Sequence, residues 1–197
     1  NPASTTLVLS ASPNPSVTGQ GVTVTATVAP VAPGTGTPTG TVTFSVNGNV
    51  VCLNVPVVAG VATCNLPSQL AGNHAVTATY SGSPNYNGSN GTLTGGLTVN
   101  PANTTTSVAS SANPSVAGQL VTFTATVTAV SPGSGTPTGT VTFSIDGSPV
   151  CTNAAMTGNQ ATCSSSNFNA GNHPVSATYN GDANYNGSTG SLTGGQG

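Results

Sequence analysis

The chain has 197 residues with no Lys or Arg and only Asp146 and Asp182 as acids, where an ordinary soluble domain carries about 25% charged residues. Without cationic side chains it cannot neutralise phosphates or hold anionic lipid by counterion release, which excludes nucleic acid as a partner and acidic membrane surfaces as a platform. No apolar run reaches the roughly 18 residues that a membrane-inserted helix needs, and the longest candidate, residues 55–62, is broken by Pro56 and Gly60.

Residues 5–10 form a β-rich run that stops at Ser12-Pro13-Asn14-Pro15, a turn signal, so they read as a first strand, with 17–20 continuing along an edge. Residues 22–28 alternate apolar side chains with Thr, the period-two pattern of a strand with one face in a core and one in water. A Pro/Gly/Thr loop over 30–39 follows. The run Gly36-Thr37-Pro38-Thr39-Gly40-Thr41-Val42-Thr43-Phe44-Ser45 then returns letter for letter from Gly135 to Ser144, and the difference between 36 and 135 sets a gapless period of 99 residues. The chain therefore reads as two domains, 1–99 and 100–197, each large enough for its own core. Asn1-Pro2-Ala3 recurs as Asn100-Pro101-Ala102, which suggests a processed product or a segment of a longer array.

Val42, Phe44 and Val46 share one strand face, and Asn47-Gly48, answered by Asp146-Gly147, is a strong hairpin turn. The returning strand, 50–55, holds Cys52; after a turn at Ala59-Gly60 the strand 61–65 holds Cys64. This places Cys52 and Cys64 across one hairpin, with Cys151 and Cys163 as their counterparts. An even number of identically spaced cysteines favours disulfides and an oxidising compartment, each bridge adding roughly 3 kcal/mol by loop entropy. Zinc requires clustered ligand pairs that this spacing does not supply. Residues 74–80 alternate again, Asn85-Tyr86-Asn87-Gly88-Ser89 makes a loop, and a last strand over 92–99 contains Gly95-Gly96. Seven to eight short strands per copy without helical periodicity predict an all-β fold of two tandem sandwiches.

Several of these residues resemble a known family, the bacterial Ig-like repeat domains of large surface proteins. They are Ser12-x-Asn14-Pro15-Ser16, Gly19-x-x-Val22-Thr23, Pro38-x-Gly40-x-Val42-x-Phe44, Ala71-Gly72-x-His74, Ala78-Thr79-Tyr80-x-Gly82 and the loop 85–89. The resemblance spans both copies. It implies a structural spacer or stalk of the kind found in adhesins, cell-wall proteins and secreted enzymes, outside the cell, without a catalytic centre or cofactor. The cysteine pair departs from the family's pattern.

The candidate sites are few. His74 and His173 lack the acidic partner a general base needs, at least in the first domain, which has no Asp or Glu. Their spacing, Leu70-x-Gly72-x-His74, resembles the tyrosine corner, in which a ring bonds back to a preceding turn. Tyr80 lies in a core strand, whereas Tyr86 and Tyr185 sit in loops and are candidate sugar-stacking aromatics, which makes a glycan or host ligand the alternative partner. Asp182 lies in an oxygen-rich loop, but calcium takes several carboxylates and no metal is expected. Asn87, Asn90, Asn103 and Asn186 head glycosylation sequons. Finally, Leu7-Val8-Leu9 is more apolar than its counterpart Thr106-Ser107-Val108, while the second copy stops at Gln196-Gly197, short of the residues matching Leu97-Thr98-Val99. This asymmetry suggests self-association into a filament, the first strand of one subunit completing an open edge of another or packing head to tail with it, or contact with neighbouring Ig-like repeats.

Overall fold

The structure, a computed structural model, describes residues 1–197 and divides them into two compact units, Asn1–Asn100 and Pro101–Gly197. In the first unit the strands are β1 (Thr5–Ser12), β2 (Ser16–Val17), β3 (Val22–Pro30), β4 (Thr41–Val46), β5 (Asn49–Pro56), β6 (Val61–Leu66), β7 (Gly72–His74), β8 (Val76–Tyr80), β9 (Ser89–Thr92) and β10 (Leu97–Asn100). One sheet has the order β1-β3-β6 and a second the order β5-β4-β8-β9; a short ladder, β2-β10-β7, runs alongside. Alternation decides which side chains meet between the sheets. Val24, Ala26 and Val28 from β3, Ala62 and Cys64 from β6, Val42 and Phe44 from β4, and Val76, Ala78 and Tyr80 from β8 are buried together, while the intervening Thr side chains turn outward.

The second unit repeats the frame with β11 (Thr104–Ser110), β12 (Val121–Ala129), β13 (Thr140–Ile145), β14 (Ser148–Ala155), β15 (Gln160–Ser165), β16 (Val175–Tyr179) and β17 (Ser188–Ser191). Its sheets run β11-β12-β15 and β14-β13-β16-β17. Phe123 and Phe143 are fully buried in its core.

Two expectations need correction. Residues 92–99 are not one strand: β9 pairs with β8, a turn closed by Gly96 N–H donating to the Leu93 carbonyl follows, and β10 then joins β7 and β2. Gly95 and Gly96, both at positive φ, form that turn and move the chain from one ladder to another. The run 74–80 changes ladders in the same way at Ala75.

The cysteines do not lie across one hairpin. Cys52 is on β5 and Cys64 on β6, and these are edge strands of different sheets. The bond at Cys52–Cys64, like that at Cys151–Cys163, therefore staples one sheet to the other along an open side of the sandwich. Between β5 and β6 the chain turns at Ala59 and Gly60, both at positive φ, and crosses the sandwich instead of folding back within a sheet.

Leu7, Val8 and Leu9 lie in β1. All of β1 pairs with β3, and Leu7 and Leu9, each 7% exposed, belong to their own core, with Val8 outward. Donating this strand would remove both leucines from the sandwich that buries them. The opposite side of the sandwich is drawn shut where Gly91 of β9 passes the Leu7 carbonyl, a gap so small that an added Cβ would lie 2.5 Å from that oxygen.

Candidate functional site

The side chains capable of chemistry gather at the two ends of each sandwich. At one end the loop 85–89 lies between the first residues of the unit and the 30s loop. The Tyr86 hydroxyl donates to the Thr35 carbonyl at 2.9 Å, and Tyr185 does the same to Ser134 at 2.9 Å in the second unit. Backbone bridges join Ala3 to Tyr86 and Ala102 to Tyr185. Tyr185 is 7% exposed, so its ring is a packed clamp rather than an open stacking face, and Tyr86 is half-buried. The sequon amides are used in the same clamp: Asn87 Nδ2 donates to the Pro2 carbonyl at 3.1 Å, and Asn186 Nδ2 donates to Asn103 Oδ1 at 2.8 Å. Asn90 is exposed on β9.

Asp182 occupies this end in the second unit. One carboxylate oxygen accepts from Asn184 N–H at 2.7 Å and Tyr185 N–H at 2.9 Å, and the other accepts from the N–H and hydroxyl of Thr138. Burial pushes the Asp182 pKa up, but the bonds from the Thr138 hydroxyl and the three N–H groups outweigh it and hold the carboxyl below the usual range. With both oxygens filled, Asp182 is a loop clasp. The hydroxyl of Tyr80 donates to the Thr39 carbonyl, whereas that of Tyr179 is buried beside the Asp182 carboxylate, and burial first, then the Asp182 charge, raises its pKa. No three His, Cys, Asp or Glu side chains are grouped as metal ligands would be.

The other end carries the histidines. His74 Nε2 donates to the Leu70 carbonyl at 2.9 Å, the corner that the spacing implies, and Asn47 Nδ2 donates to Nδ1 at 3.0 Å. Asn47 Oδ1 in turn accepts from Ala75 N–H at 3.0 Å. In the second unit His173 Nε2 meets the Asn169 carbonyl at 3.0 Å, but Nδ1 meets Asp146 Oδ2 at 2.7 Å. The Asp146 carboxylate, and after it the Asn169 carbonyl, raise the His173 pKa above its ordinary 6.5. Sequence reasoning missed this pair. Laying the copies side by side could have found it, since Asn47 and Asp146 are one of the few differences adjoining a histidine.

Alternating strands in two stapled sheets, with a ring bonding back to the turn before its strand, define an immunoglobulin-like sandwich module. The family described as bacterial Ig-like domain (group 3) matches residues 9–100 and again 103–194, and the chain belongs to it. No curated protein matches the sequence. Among solved structures, the Yersinia pseudotuberculosis adhesin InvE is similar at 20% identity and a TM-score of 0.45, over 95% of this chain and 58% of that one. The Escherichia coli adhesin FdeC is similar at 16% identity and a TM-score of 0.32, over 100% of this chain and 65% of that one. A membrane-anchored protein of Corynebacterium diphtheriae follows at 14% identity and 0.39, over 96% and 59%.

Proposed function

We propose that the two units are structural spacer repeats of an extracellular, surface-associated protein, working beside neighbouring Ig-like repeats. One observation carries this reading. At both ends of both sandwiches the Tyr, His and Asn side chains that could engage a ligand are bonded to carbonyls and amides of their own unit, and a disulfide ties the sheets together along one open side. The edge strands fit the same role: β5 and β14 carry bulges, with Asn54 and Asn153 at positive φ, and β14 carries Pro149, features that discourage pairing with foreign strands. The disulfides belong to an oxidising compartment.

Pulling the oxidised chain by its ends in a force spectrometer tests the proposal. Two separate unfolding events are expected, and a reductant should lengthen each released contour by about 4 nm, the span of the 12-residue separation at roughly 3.6 Å per residue. Specific glycan capture on an array, lost in Tyr86→Ala or Tyr185→Ala, would replace the spacer reading with a ligand-binding one.

A further inference from the structure

His173 stands between two acceptors. The Asn169 carbonyl faces Nε2 and the Asp146 carboxylate faces Nδ1. Only an imidazolium can donate to both; a neutral ring keeps its single N–H on the stronger acceptor, the Asp146 carboxylate, and turns the Nε2 lone pair toward the Asn169 carbonyl. The first unit shows the neutral solution at the same place, where Asn47 donates to Nδ1 and takes the Ala75 N–H on its own oxygen. Position 174 is Pro, so the second unit has no N–H there for residue 146 to accept. The exchange of Asn47 for Asp146 and of Ala75 for Pro174 thus forms a matched set: the amide donor is gone, and a carboxylate faces the ring instead.

The ring is attached to a loop that no strand ladder holds. Asn169, its carbonyl partner, follows Phe168, which comes from the loop after β15 rather than from a strand and packs edge-on to Phe123 at 6.0 Å. Phe168 also lies against His173 at 5.6 Å, and its counterpart in the first unit is Gln69. A groove of about 200 Å³ borders this loop, lined by Ser115, Val116, Phe168 and Gly171. Asp146 is the charged side chain facing His173. The terminal Gly197 on the adjoining segment bonds to Ser115, and Asp182, Tyr179 and Tyr185 lie toward the opposite end of β13 and β16.

We propose that His173, Asp146 and Pro174 make a proton-dependent latch that holds the Phe168 loop, residues 166–171, onto the second unit, tied down in acid and loosened as the pH rises. Loosening uncovers Phe168 and widens the groove beside Val116. The corresponding loop of the first unit, around Gln69 and Leu70, has no such latch, because the neutral Asn47 amide stands where Asp146 stands in the second.

Amide hydrogen exchange and histidine ring NMR on the full chain test this from pH 5 to 9, with the Gln69 loop as internal control for the base catalysis of exchange. The expected result is a His173 midpoint above that of free histidine and a local opening of residues 166–171 that rises about two- to fivefold across it, the range exposed ion pairs give. Asp146→Asn should lower the midpoint and abolish the extra opening, while Asn47→Asp with Ala75→Pro should confer both on the first unit. Loop opening that tracks the first unit at every pH, or that is unchanged in Asp146→Asn, overturns the latch. The forces measured for the spacer reading do not depend on either result.

Discussion

Leu97 in the first unit and Gln196 in the second stand at the same position of the repeat, and both are 0% exposed. Leu97 belongs to the apolar core against which Ala11 packs, and the buried Ser16 hydroxyl has no partner. Gln196 accepts from Ser110 at 2.6 Å and donates to the Ala112 carbonyl at 2.8 Å and to Ser115 at 3.2 Å. Ser110 and Ser115 are the counterparts of Ala11 and Ser16. One unit fills the slot with apolar volume and the other with a satisfied amide, and each choice fits only because its neighbours changed with it. The histidine end teaches the same lesson with charge: an uncharged amide, Asn47, faces His74, and a carboxylate, Asp146, faces His173. The frame tolerates either chemistry because the two main sheets keep their order and register in both units, even though the β2-β10-β7 ladder of the first is reduced in the second to a bridge between His173 and Gln196.

The broadest way to break this comparison is to damage one core and watch the other. Phe143→Ala should cost the second unit about 3–5 kcal/mol, the usual range for a buried Phe, and leave a separate first-unit transition in calorimetry; Phe44→Ala should do the reverse. Next in size is the staple. Cys151→Ala with Cys163→Ala should destabilise the second unit by about 3 kcal/mol on loop entropy, measured by urea unfolding, with Cys52→Ala and Cys64→Ala matching it in the first.

A sharper test exchanges the buried amide. Gln196→Leu should destabilise the second unit by about 1–3 kcal/mol, since Ser110 and the Ala112 carbonyl lose their partner, and adding Ser110→Ala should restore part of the loss; denaturant midpoints of the single and double variants show whether the positions couple. The smallest effect is the pH dependence. A raised imidazole pKa contributes stability that is fully present below about 6.5 and lost as the pH rises through the folded-state value. The second unit should therefore melt lower at pH 8.5 than at pH 6, and Asp146→Asn should flatten that difference in differential scanning calorimetry.

Much of the architecture was legible in the letters. Alternation picked out Val22, Val24, Val42, Phe44, Val76 and Tyr80 as inward-facing, and the Asn47-Gly48 and Asp146-Gly147 turns set the β4–β5 and β13–β14 hairpins. The availability of an apolar run or a loop tyrosine is not legible in the letters, because it depends on partners far away in sequence. Leu7 and Leu9 belong to their own core, and Tyr185 is packed over Ser134.

By itself, the sequence determined the period, the two-unit division, the all-β class and the inward face of the alternating strands, because these follow from local geometry that repeats every two residues and from an offset anyone can count. Only the tertiary structure decided which sheet each strand joins, that the disulfides run between sheets, and that Asp146 meets His173. Those facts depend on where the chain crosses the sandwich, and a period-two pattern reads the same on either side of that crossing.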